Sequence, residues 1–428
     1  MPGWMRHSAQ VESLQGSVVH APLSRSFIGE RCLVVAPGDG AVVLCEAQTV
    51  SFTPTGVRLS LLGTTQGLPK GAWIVPTGRP AGMSVDSATL GAVLDGDGRT
   101  IARLSPEPAE TGTARMLDVE AGPPALSQRR PTETIFATGV RAIDGLLTCG
   151  VGQRLGIFAT AGSGKTSLVS TLIANAEVDV TIVGLIGERG REAAEFLAGG
   201  IPENRRASTV LVCSTSDRPP AERRNAAHLA AALAEHYRSK GCRVLLLVDS
   251  ITRYARALRD IALSAGESPA RRGYPASVFE ALPRFLERAG ATDSGAITAY
   301  YTVLLDDEDQ ADPISEEVRS ILDGHIHLSR GLAERAHYPA IDVLKSASRV
   351  MHGIVTDQHR EHAVALRGKL ARLAELELPL QLGEYQRGDD PEVDTLLACK
   401  GPIDQWLRQP GPGATPFAET LRGLHALV

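Results

Sequence analysis

Aromatic residues are scarce in this 428-residue chain, at 4%, which leaves few platforms on which the bases of a single strand could stack. A basic surplus is missing too. Forty-four Lys and Arg face 49 Asp and Glu, a net charge of −5, so no global field draws the chain to nucleic acid. No apolar run approaches the ~18–20 residues that a membrane span needs. The opening "MPGWMRHSAQVESLQG" lacks the apolar stretch of a secretory signal. The expectation is a cytoplasmic chain whose membrane association, if any, is peripheral. The six cysteines (Cys32, Cys45, Cys149, Cys213, Cys242 and Cys399) include no C-x-x-C pair. Apolar neighbours such as "VVLCEA" and "VLVCST" read as buried free thiols, against a disulfide frame or zinc site.

What is present divides the length into three. Residues 1–82 carry short strands broken by turn residues, "GSVVHA", "RCLVVAPGDGAVVLCEA", "VRLSLL" and "AWIVPTG", which predict a small β-barrel and leave open whether the first ~15 residues are ordered. Residues 83–352 predict an α/β core: near-continuous Val/Ile/Leu strands suited to a mostly parallel sheet buried on both faces, alternating with helices. The Pro- and Ala-rich stretch 104–134 reads as a loop or connector within it. Residues 353–428 predict a small helical domain, with Val364, Leu366, Leu370, Leu373 and Leu376 at helical spacing and Pro379 behind them.

The chemistry concentrates in "RLGIFATAGSGKTSL". A strand leads through "ATAGSGKT" into a helix, the setting that a phosphate-binding loop requires. The set Ala161, Gly162, Ser163, Gly164, Lys165, Thr166 and Ser167 is the candidate nucleotide cradle. Its glycines turn backbone N–H groups inward, Lys165 reaches the β- and γ-phosphates of ATP, and the Thr166 hydroxyl ligates Mg²⁺. Ala159 stands where the motif usually has glycine, which asks only that its φ stay negative. "RVLLLVDS" places Asp249 at the tip of a buried strand, a second Mg²⁺ ligand through water. Glu188 in "IGERGRE" follows another such strand; it is a candidate to polarise attacking water or, equally, part of a charged surface turn.

Other constellations carry less. His325 and His327 in "GHIHLS" face one way on a strand but lack a third ligand, and "HREH" places His359 and His362 three apart on a helix without partners. Arg256, Arg259, Arg271 and Arg272 concentrate charge that suits a solvated face or the inside of a ring.

Several motifs in order, "TGVRAIDGLLTCGVGQRLGIFATAGSGKTSL", "GLIGERGRE", "LLLVDSITRYARALRD", "ARRGYPASVFEALPRFLERAG" and "YPAIDVLKSASR", resemble the ring-forming ATPases related to the catalytic subunit of rotary ATP synthases. The type III protein-secretion branch, of the injectisome kind, is the nearest likeness, and there the loop commonly opens with Ala. The resemblance implies a RecA-like core with an N-terminal β-barrel and C-terminal helices. It implies a homohexamer that hydrolyses ATP with Mg²⁺, releases and unfolds chaperone-bound effectors, and meets stalk and stator proteins at the inner membrane. By the same resemblance Glu188 activates water, Arg189 and Arg253 lie near the γ-phosphate, and Tyr338 stacks on adenine. Arg349, otherwise a surface arginine after a Ser/Ala turn, would reach into the neighbouring subunit's site. A flagellar export ATPase, a rotary synthase subunit and a nucleotide-binding subunit without turnover are the alternatives.

Overall fold

The computed structural model describes residues 8–38, 42–80, 82–106, 114–307, 312–386, 388–409, 411 and 413–428. The expected order appears: an antiparallel barrel-type sheet, a mixed central sheet clad in helices, and C-terminal helices.

The first sheet has seven strands. Alternating burial along Glu30–Val35 and Gly56–Leu61 sends Cys32, Val34, Val57, Leu59 and Leu61 into one small core. The first ~15 residues, whose order the sequence leaves open, form short strands from Ala9 onward; residues 1–7 lie outside the described residues. Ala9–Gln10 pairs with Trp73–Pro80 at one end of the sheet, and Ser13–Gln15 pairs with Val18–Ala21 at the other. One short segment thus ties both ends together, because Ala9 has a buried slot to fill and Val11 donates to the Ala72 carbonyl.

The central sheet has eleven strands. Ala92–Leu94, Thr209–Ser214, Val180–Ile186, Arg243–Asp249, Ala296–Leu304, Arg154–Ala159 and Gly324–Leu328 run parallel in that spatial order. Ile341–Ser348 then closes one side antiparallel. The strands are mostly apolar and buried on both faces, as a helix-covered sheet demands. The Pro220–Ser239 helix, opened by Pro220 and stopped before Gly241 (φ 89), covers one face. The stretch expected as loop, 104–134, is stitched down where it is described: Arg115–Asp118 pairs with Gly82–Val85, and Arg129–Arg130 with Gly290–Thr292. Its residues 107–113 lie outside the described residues. Glu120 there makes a two-pronged ion pair with Arg224 at 2.6 and 2.7 Å.

Three helices follow, Asp357–Leu382, Pro391–Leu407 and Phe417–Ala426. Thr356 caps the first, and Gly383 at φ 73 ends it, four residues beyond Pro379. Pro379 lies inside the helix, and so near the last turn it forfeits one backbone bond while the helix runs on. The buried stripe is His359, Ala363 and Leu366, with Leu370 and Leu373 against the core, whereas Val364 faces outward at 60% exposure. All six cysteines are free, and burial pushes the Cys32 and Cys149 thiols up to about 12. Among the described residues no helix is long and apolar enough to cross a membrane.

Candidate active site

Parallel strands deliver their carboxyl ends to one edge of the sheet, and the loops there form the cleft. The Arg154–Ala159 strand opens into the phosphate loop, and the Lys165–Asn175 helix begins behind it. Gly162 (φ 81) and Gly164 (φ 85) take the left-handed turns that let the loop double back. Ala159 is still strand, fully buried and paired with Leu304 and Leu328, so no glycine is needed there.

The cleft, about 510 Å³, is lined by Gly162, Lys165, Thr166, Glu188, Arg189, Asp249 and Arg253 among others. Lys165 Nζ donates to Asp249 Oδ1 at 2.5 Å and to Glu188 Oε1 at 3.2 Å. Burial alone would lower the Lys165 pKa, but the two carboxylates outweigh it and the net shift is upward. Thr302, on the strand between the loop strand and the Asp249 strand, donates to Asp249 Oδ1 at 2.6 Å. Glu188 is only 5% exposed, which removes it from a solvated surface turn. Arg253 holds the Gly187 carbonyl at 2.6 Å and lies 3.5 Å from Glu188 Oε2, and its buried Nε finds no hydrogen-bond partner among the described residues. Arg189 also lines the cleft, but its side chain is largely exposed and pairs with Glu192.

Tyr338 flanks the rear of the loop: a methyl group on Gly164 would come within 3.1 Å of its Cε1. With Gly164, Ser167, Thr171, Gln409 and Gly411 it bounds a small recess of about 30 Å³. Arg349 lies elsewhere. The Ile341–Ser348 strand runs antiparallel to its neighbour, so it starts near Tyr338 at the phosphate edge and ends at the opposite one. Eight residues at ~3.3 Å each carry the chain about 26 Å. There the exposed Arg349 reaches the Arg319 and Ser320 carbonyls and takes no part in its own chain's cleft.

The chain is 48% identical over 427 residues to the SPI-1 type 3 secretion system ATPase of Salmonella typhi, a match spanning 100% of this chain and 99% of that protein. The chain belongs to the type III secretion ATPase family. This ATPase matches the family model for the ATP synthase alpha/beta family nucleotide-binding domain over residues 139–348, and that for the T3SS EscN ATPase C-terminal domain over 355–426. It superposes on the assembled ATPase EscN of the enteropathogenic E. coli type III secretion system with a TM-score of 0.90 and 40% identity, covering 98% of this chain and 99% of that one. The flagellum-specific ATP synthase of Treponema pallidum is 38% identical over 431 residues, covering 99% of this chain and 94% of that protein. The chain is accordingly an ATP-hydrolysing P-loop enzyme of protein secretion.

Two contributors to the ATPase's site were not anticipated. Thr302 is a polar residue near the carboxyl end of a largely apolar buried strand, a signal the sequence does contain. Gln409 sits in a Pro/Gly-rich stretch after a helix and has no local signature. Of the flagged histidines, His325 and His359 bond to the Lys345 and Gly145 carbonyls, His362 meets His425, and His327 is buried with its backbone N–H on Ser346. Among the described residues no cluster of three or more His, Cys, Asp or Glu could hold an ion alone. Of the arginine-rich stretches, Arg256 lines the cleft, Arg259 lies over Tyr274, and Arg271 pairs with Glu316.

Proposed function

We propose that this chain is the homohexameric, Mg²⁺-dependent ATPase of an injectisome, working at the cytoplasmic face of the inner membrane. It would release and unfold chaperone-bound effectors and meet stalk and stator proteins. A second EscN structure, in complex with the central stalk EscO, supports a stalk partner here; that EscN chain aligns with a TM-score of 0.86 over 98% of this one. Neither nucleic acid nor a spanning helix enters the reading.

The observation that carries the chemistry is the convergence of Lys165, Glu188, Asp249 and Arg253 on one cleft behind a glycine-turned loop. Loop N–H groups, the helix start and Lys165 bind the phosphates. Arg253, with its buried unpartnered Nε, supplies positive charge beside them. The donor set suits Mg²⁺, which shares its shell with water and phosphate oxygens. Thr166 presents a hydroxyl to the cleft, and the two hydrogen bonds to Asp249 both fall on Oδ1. When bound, the ion would neutralise charge developing on the phosphate oxygens.

Glu188 is the residue placed to orient water for in-line attack, held between Lys165 and Arg253. Lys165, now shared between two carboxylates, turns to phosphate when ATP enters and frees Glu188 Oε1 for that water. Arg189 completes the γ-phosphate shell by swinging in from its exposed pair with Glu192. Arg349, pointing away from its own cleft, serves the neighbour's. Glu188→Gln tests the assignment: ATP binding should persist while turnover falls about 10²–10⁴-fold. Normal turnover would remove Glu188 from the role.

A further inference from the structure

The recess beside Tyr338 is walled on one side by residues far away in sequence, and one buried side chain holds that wall. Gln409 is 8% exposed. Its Nε2 donates to the Gly139 carbonyl at 2.7 Å and the Gly413 carbonyl at 2.6 Å, and its Oε1 accepts from the Arg141 N–H at 3.0 Å. Its backbone N–H donates to the Tyr338 carbonyl at 2.8 Å. Arg141 answers by donating to the Trp406 carbonyl at 2.6 Å and to that of Arg408. The Thr415 N–H also reaches the Gly139 carbonyl, at 3.0 Å. Gly139 (φ 71) lets these pieces close, since a methyl there would sit 2.9 Å from the Asn175 side chain at the end of the phosphate-loop helix.

We infer that Gln409 is a positioning residue for nucleotide binding, clasping the C-terminal segment to the Gly139–Arg141 turn so that Tyr338 and Gly411 form the wall on which the base rests. The inference rests on the reading of Tyr338 as the base-stacking residue. Both amide hydrogens of Gln409 are committed to carbonyls, so it has none left to read the base and acts through the groups it holds. The clasp also makes the base wall depend on docking of the C-terminal helices, whereas the phosphate cradle, built within the core, does not need them.

That difference supplies the test, with inorganic tripolyphosphate as a ligand that has phosphates but no base. Gln409→Ala removes the clasp. Gln409→Glu keeps its shape but turns lone pairs toward the Gly139 and Gly413 carbonyls. Gln409→Asn is a milder variant that keeps the amide one methylene short. Affinities for ATP and tripolyphosphate are measured on the full chain by competition, with KM and kcat alongside. Ala and Glu should each weaken ATP about tenfold, as loss of buried hydrogen bonds allows. Asn should fall between them and the parent, tripolyphosphate should be unchanged, and KM should rise while kcat holds. Equal weakening of both ligands would reduce Gln409 to a fold-holding residue, and unchanged ATP affinity in all three variants would also overturn the inference. Tyr338→Ala separates the two layers. If it leaves the ratio of ATP to tripolyphosphate affinity unchanged, the stacking reading falls and takes this one with it. If it lowers the ratio and the Gln409 variants do not, only the clasp falls.

Discussion

Replacing Ala159 by Gly would restore the usual first letter of the phosphate loop, and the structure says that it should do harm. The Ala159 methyl is fully buried, and its backbone is bonded on both sides, in register with Leu304 and Leu328. Removing one buried carbon costs about 0.8 kcal/mol. Glycine in a strand interior costs a further ~0.5–1 kcal/mol in backbone entropy. The sum is about 1.5 kcal/mol, a fall in Tm of roughly 2–3 °C for a core of this size. Nothing is gained in exchange, because the left-handed turns of the loop belong to Gly162 and Gly164. Thermal melts of the monomer and steady-state ATP kinetics are the assay, and kcat and KM should match the parent. A lower KM for ATP at unchanged Tm would refute the reasoning, since it would mean that residue 159 strains the loop.

Arg349→Ala and Glu188→Gln should each be inactive alone, yet mixing them before assembly should restore turnover. Some interfaces would then pair an intact Glu188 with an intact Arg349 from the neighbour; a mixture as dead as its parts would place both residues in one chain's site. Stability should fall as pH drops below about 6.5. Burial, reinforced by Arg224, holds His228 down at about 3. Burial would raise Glu120, but Arg224 overrides it and holds the group at about 2. Each folded-state value lies below its unfolded one, so the stability is present at neutral pH. The His228 part is lost from 6.5 toward 3 and the Glu120 part from 4.5 toward 2, on the order of 3–5 kcal/mol each at most. Melting temperature against pH checks this, and a flat profile from pH 7 to 5 would contradict it. Gly56→Ala should unfold the barrel, because the new methyl would lie 2.2 Å from the Ala21 carbonyl oxygen. Near-parent near-UV circular dichroism would count against that.

Strand tips and the glycine loop were legible in the sequence because each is announced locally. A run such as "RVLLLVDS" states both its burial and where it stops. In a parallel sheet that suffices to bring Asp249 toward Lys165 without knowing the topology in detail. The buried ion pairs were not legible. Arg224, Glu235 and Arg288 look like solvated helix charges, and only the folded chain shows Arg288, 2% exposed, gripping Glu235 at 2.7 and 2.8 Å. Val364 misled for the opposite reason: helical spacing marks a stripe, but its edge is set by what packs there. Gln409 and Gly139 lie 270 positions apart, and no local pattern announces a bond across such a distance.

The segment from Ala9 to Gln15 has a practical bearing on how this protein is handled. Trimming the chain beyond it would strip a partner from two rims at once, the Trp73–Ile74 backbone and the Val18–His20 backbone. Bare rims of that kind recruit strands from other molecules. A shortened preparation would therefore stick to itself through its barrel while its nucleotide cleft stayed sound. Clumping of such material would report raw sheet edges rather than the assembly of a working ring.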